Sequence, residues 1–149
     1  MRTIAWVLAV WLALVACSGT DPATAQGTAR CAHCGMRVDP SSSWRAGATG
    51  ADGAALPFDA PKCLIRFVRS DRGRASRAPW VIEYYSGERR PAEGLFYVRG
   101  SDVRGPMGRD LVPIEGRDRA ERFRADHHGE RVLAWTEIDA ATIDALFRP

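Results

Sequence analysis

Ala55-Leu56-Pro57-Phe58 runs into the stretch Asp59 to Arg69, and Leu111-Val112-Pro113-Ile114 runs into the stretch Arg117 to His128. An apolar-Pro-apolar segment leading into an amphipathic stretch therefore occurs twice, the mark of an internal repeat. In the first copy Asp59 is placed to cap a helix, and Pro61 suits the first turn. Cys63, Leu64, Phe67 and Val68 then share one helical face. In the second copy Ala120, Phe123 and His127 share a face, and Gly129 supplies a C-terminal stop. An apolar, β-prone run follows each helix, Trp80 to Tyr85 and Val132 to Ile138. Short strand candidates precede the helices: Met36 to Val38 and Trp44 to Ala48 in the first half, Leu95 to Val98 in the second. The segment Ser86 to Glu93, rich in Gly, Pro and charge, divides the halves. Asp139 to Phe147 reads as a short C-terminal helix with Asp139 at its N-cap. The predicted fold class is α+β, two related ββαβ units packed together plus that helix, with units over 31–88 and 89–149.

Of 149 residues, 21 are basic and 18 acidic, a net charge of +3. That balance gives no basic stripe of the kind a polyanion binder shows. All but one of the basic residues are Arg; Lys62 is the exception. Hydrophobic residues make up 46%, enough for a packed core. No nucleophile–base pair, phosphate loop or paired-carboxylate motif occurs, so the sequence does not support a hydrolase or NTPase, and no enzymatic activity is expected.

The first 16 residues read as a leader. Arg2 supplies the positive start, and Ile4 to Leu14 is an unbroken apolar run. As a helix that run reaches only about 16 Å, short of a hydrocarbon core of roughly 30 Å. It is a signal-peptide core rather than a membrane span. It ends in Leu14-Val15-Ala16-Cys17, which resembles a bacterial lipobox. Cleavage before an acylated Cys17 would leave the chain tethered by acyl chains, facing the periplasm. Ser18 in place of an Asp at the next position points to the outer membrane. Residues 17–30, rich in Ser, Gly, Thr, Pro and Ala, form a flexible tether.

Cys31-Ala32-His33-Cys34-Gly35-Met36 gathers three sulfurs and an imidazole in six residues. A C-x-x-C pair can be half of a zinc site, a thiol–disulfide exchange pair, a passive disulfide or a soft-metal clip. A structural zinc site wants four ligands, and no second C-x-x-C exists; His127 and His128 are adjacent and diverge on a helix. A thioredoxin-like pair follows a strand and opens a helix, whereas this one follows a tether and precedes Gly35. Arg104-Gly105-Pro106-Met107-Gly108 is the second sulfur locus. Gly-Pro-Met-Gly is a turn, so Met107 is poorly placed to be core filler. Each half thus offers a Gly-flanked Met near its start, and these are the only Mets after the initiator. Thiolate and thioether are soft donors that select Cu(I), and a mixed Cys/Met site of low coordination number can release its ion by ligand exchange. That behaviour suits a carrier rather than a catalyst.

The order of lipobox, tether, Cys31-x-x-Cys34-Gly35-Met36, the block Phe96 to Ile114, Ala120-Glu121-Arg122-Phe123 and Val132 to Ile138 resembles the NosL family. These are lipoprotein accessory proteins of nitrous oxide reductase. The resemblance implies two related ββαβ units, Cu(I) as the ion carried, and delivery to apo-nitrous oxide reductase or its membrane assembly complex. By motif it implies Cys31, Cys34, Met36 and Met107 as metal ligands, with His33 as a candidate addition. Where such proteins commonly have Gly-Gly after the second helix, this chain has Gly129-Glu130.

His33 otherwise reads as a solvated loop residue, and Cys63, among Leu64 and Phe67, as a buried inert thiol, the alternative being a thiol facing the metal from below. His127 and His128 suit a helix C-terminus, and Trp44, Trp80 and Trp135 suit a core. Asp102, Arg109 and Asp110 read as charges that solvate the Met107 turn, the alternative being that they guide docking to a partner. Two other functions compete with the copper carrier: a periplasmic thiol–disulfide exchange protein using Cys31 and Cys34, and a structural lipoprotein whose sulfurs bind nothing.

Overall fold

A computed structural model describes residues 29–148. The leader, Cys17 and most of the tether lie outside the described residues. The chain forms two antiparallel sheets. The first contains β1 (Ala46–Thr49), β2 (Ala55–Phe58), β3 (Arg77–Ile82) and β4 (Arg89–Pro91) in the order β2-β1-β3-β4. The second contains β5 (Phe96–Arg99), β6 (Leu111–Ile114) and β7 (Arg131–Ala134) in the order β6-β5-β7. Helix α1 (Pro61–Val68) joins β2 to β3, and α2 (Arg117–Asp126) joins β6 to β7. Each unit contains ββαβ, with its first strand between its second and third; β4, from the segment expected to divide the halves, adds a fourth strand to the first sheet beside β3, so that sheet extends past residue 88. The registers correspond, with Ala46 opposite Phe58 in one unit and Phe96 opposite Ile114 in the other. Pro57 and Pro113 are equivalent, so the repeated apolar-Pro-apolar segments are the second strand of each unit. Helix α3 (Ala140–Leu146) ends the fold, and the Asp139 carboxylate accepts its Thr142 N–H at 2.7 Å, as a cap should.

Some local expectations fail. Met36 to Val38 makes only an isolated bridge, Arg30 to Arg37, and the first strand starts at Ala46. Asp59 does not cap α1: the N-cap is Ala60, with no side-chain hydrogen bond. The cap comes from the other unit, where Asp110 Oδ1 accepts the Lys62 N–H at 3.0 Å. Asp110 is buried, not a solvated charge on a turn. The turn after α2 uses His128, at φ 54°, as its left-handed residue, and the Gly129 N–H reaches Arg124 O at 2.8 Å. Gly129 is required for closeness instead, because a Cβ there would lie 2.6 Å from Val98.

The second sheet shows period-two alternation with both faces buried. Tyr97, Leu111 and Leu133 enter the main core with Phe58, Leu64, Ile65 and Val81. Val98, Val112 and Ile114 form a smaller cluster with Ala120 and Phe123 of α2. Burying each such side chain contributes about 1.5–3 kcal/mol at most. Polar contacts also lock the units together. The buried Glu83 carboxylate accepts N–H groups from Tyr85 at 3.0 Å, Ser86 at 2.7 Å and, across the divide, Glu115 at 3.2 Å. Burial would raise its pKa, and these hydrogen bonds overcome that to hold it below the usual carboxylate range. The Tyr84 N–H donates to Pro113 O, as the Ala32 N–H donates to Pro57 O.

Candidate metal centre

Three pieces of chain build the site, the last two nearly continuous. The first is the loop that carries Cys31 and Cys34. The Cys31 N–H donates to Met36 O at 2.7 Å, and the Gly35 N–H donates to Cys31 O at 2.9 Å. Gly35 closes this curl at φ 76°, a conformation that favours glycine. The Ala32 N–H bond to Pro57 O, 2.9 Å, fastens the curl to β2. The second piece is Asp59, just past the end of β2. The third is the first turn of α1, where Pro61 starts the helix and Cys63 points into the core.

These pieces bring Cys31, Cys34, Cys63 and Asp59 together, with one ligand atom from each lying within 4.8 Å of all the others. Cys31, Cys63 and Asp59 are buried, whereas Cys34 is exposed, so the cluster opens to solvent on one side. All three thiols are free. The Cys34 S–H donates to Asp59 Oδ1 at 3.4 Å. Asp59 Oδ2 is buried with no hydrogen-bond partner among the described residues. A buried carboxylate oxygen left bare is costly, and a bound cation would satisfy it.

The thiols are electrostatically unequal. The Cys63 S–H bond to Cys31 lowers the Cys31 thiol to about 6, against the opposing effect of burial. Burial raises Cys34 to about 11, helped by the neighbouring Cys31. Cys63 is raised as well, because it is the donor to Cys31 and is buried. Cys31 is thus the most acidic of the three thiols. A soft ion that entered would displace the thiol protons.

The other sequence candidates fall around this centre. Met36 lies just beyond Cys34-Gly35 in the chain and is 43% exposed. Met107 is at the tip of the β5–β6 hairpin, between Gly105 and Gly108, which exchange N–H···O bonds of 2.8 and 3.0 Å. It packs on the same apolar cluster that contains Cys31 and Cys63. The two Mets are not repeat-equivalent: Met36 precedes the first strand of its unit, and Met107 follows the first strand of its own. His33 is outside the cluster, its ring edge-on to Phe147 at 5.6 Å. Burial, with the Arg66 and Arg72 charges, lowers its pKa. His127 stacks on Phe123 at 4.2 Å and hydrogen-bonds Asp102 at 3.0 Å, a structural placement.

Sequence reasoning treated Asp59 as a cap and placed Cys63, by preference, among inert thiols. The signal present was an acid directly after a strand and four residues ahead of a Cys in a first helical turn. The four ligands that a zinc site wants, which the sequence does not show, are present in the fold, since three thiols and a carboxylate are four donors. Thiol exchange is the less supported use, because Cys31 is buried and the cluster adds Cys63 and Asp59, two donors that an exchange pair does not need.

The NosL family model matches residues 22–143. No curated protein matches the chain. The crystal structure of the copper chaperone NosL from Shewanella denitrificans is similar in fold, with a TM-score of 0.67 at 18% identity. The match covers 75% of this chain and 90% of that one.

Proposed function

The chain belongs to the NosL family, and from that premise we propose that it is a Cu(I) carrier rather than an enzyme. The observation that supports this reading best is the convergence of Cys31, Cys34 and Cys63 on one partly open pocket. Thiolates hold Cu(I) in preference to hard ions, and two- or three-coordinate Cu(I) exchanges ligands readily. Cys31 and Cys63 anchor the ion from below. Cys34 is exposed, where an incoming ligand would meet it, and the exposed Met36 two residues on is the second donor assigned to that side. Met107, which packs from the second unit on the apolar cluster that includes Cys31 and Cys63, is the further thioether donor in this reading, and His33, edge-on to Phe147, is left out of it. The similarity to a copper chaperone supports the carrier, and the lipobox-like Leu14 to Cys17 segment supports lipid anchoring facing the periplasm. The carrier would deliver copper to apo-nitrous oxide reductase or its membrane assembly complex.

The test is a Cu(I) titration of reduced protein against a competing chelator. The parent should withdraw one equivalent, and the Cys31→Ser/Cys34→Ser/Cys63→Ser variant should withdraw none. Equal binding by the two would overturn the assignment. A second reading, a tetrahedral Zn(II) centre, is favoured by Asp59, since a carboxylate suits zinc and adds little for Cu(I). Competition between the ions separates them: Cu(I) should displace Zn(II), and Asp59→Asn should weaken zinc far more than copper.

A further inference from the structure

Lys62 is the only lysine in a chain with 21 basic residues, and it is 1% exposed. Burying an ammonium costs several kcal/mol unless its protons are all taken, and an apolar residue of similar size would often be the more stabilising choice. Here the three protons have three acceptors. Nζ donates to Met107 O at 3.0 Å, to Arg109 O at 2.7 Å and to Leu146 O at 3.5 Å. No carboxylate forms an ion pair with it among the described residues. An arginine could not replace it, because a planar five-donor fork does not fit three carbonyls around a point. The backbone N–H of the same residue donates to Asp110 Oδ1 at 3.0 Å. One residue therefore grips residues 107–110 from both its ends, and the next residue along α1 is Cys63.

We propose that Lys62 is a positioning residue, whose buried ammonium fixes the Met107 loop of the second unit against the thiol-bearing start of α1 and so presents the Met107 thioether to the copper cargo. This rests on the Cu(I)-carrier reading. The hairpin tip is stiff in itself, since Gly105 and Gly108 close it with reciprocal hydrogen bonds and Gly108 adopts φ 83°. It needs only one external tie to have a defined place. That tie also holds Leu146 O near the C-terminus, where the Phe147 ring lies 5.2 Å from Nζ.

The experiment uses the full chain in detergent, reduced, and compares Lys62→Met, Met107→Ala and the double variant. Each single change should weaken Cu(I) binding by about tenfold. The double variant should be no weaker than either, because both remove the same contact. Copper-edge X-ray absorption should show one sulfur fewer in all three. A merely structural lysine would lower the unfolding midpoint and leave the sulfur count alone. Additive losses, or an unchanged count in Lys62→Met, overturn the proposal. Should Lys62→Met fail to fold, the parent still decides. Labelling with 15N-lysine gives one side-chain signal, which must shift on Cu(I) addition in the parent and stay still in Met107→Ala; no shift in the parent also overturns it. If the three-cysteine variant keeps its copper, the carrier reading itself has failed. If only the Lys62 and Met107 changes are silent, the carrier stands and this positioning role falls.

Discussion

Asp110→Asn in the metal-free, reduced protein isolates one buried carboxyl. Asp110 Oδ1 accepts two N–H groups, from Lys62 at 3.0 Å and Leu111 at 2.8 Å, and Oδ2 is buried without a partner. Burial raises this carboxyl from 3.8 to about 7, against those hydrogen bonds and the Lys62 charge. Because the native pKa is raised, the stabilisation is complete below the unfolded value near 4. It is lost as pH climbs through about 7, since over that interval the unfolded chain gives up its proton and the native one keeps it. A shift of about three units corresponds to a ceiling of about 4 kcal/mol across the window. Asn keeps the Oδ1 acceptor and has no proton to release. The stability difference, wild type minus variant, should therefore fall by about 2–4 kcal/mol from pH 4.5 to pH 8. Glu83 and the thiols titrate in both proteins and cancel in the difference. Urea melts at the two pH values, with equal slopes, read it directly. A difference constant to about 0.5 kcal/mol, or one that grows with pH, would refute the buried, partly unsatisfied carboxyl.

Cys63→Ala removes the S–H donor that lowers Cys31, so the thiolate absorbance step near 240 nm should move up from about pH 6 toward the ordinary thiol range; a step that stays put means another group lowers it. Gly47→Ala should destabilise the fold by about 1–3 kcal/mol, because its Cβ would meet the Trp80 ring at 2.5 Å; an unchanged melting temperature would contradict this packing. Asp139→Ala should cost about 1 kcal/mol through the lost α3 cap while Asp139→Asn costs little, a contrast measurable by thermal unfolding.

Local signals carried most of the fold. Pro57 and Pro113 mark equivalent strands, Pro61 and Asp139 mark helix starts, and the apolar runs of the second sheet reflect burial on both faces. The C-x-x-C-Gly-Met segment announced one piece of the metal centre because its geometry is set within six residues. What stayed hidden depends on contacts between distant segments. Asp59 looks like a cap because that role is local, yet the actual cap is Asp110, from the other unit. Cys63 looks inert because only the docking of the Cys31 loop on β2 turns an apolar helix face into a ligand. Lys62 gave no local sign at all, since its three acceptors are backbone carbonyls 45, 47 and 84 positions away.

The two proline-bearing strands have a further consequence. β2 and β6 are outermost in their sheets, where a bare ladder would invite another chain to add on. Proline offers no donor there, and the one carbonyl it leaves is already taken, by Ala32 in one case and Tyr84 in the other. The opposite borders are brief: Arg89-Arg90-Pro91 on one side, and four residues that turn into a 3-10 helix on the other. Copies of the chain meeting at high concentration would find no continuous margin on which to polymerise.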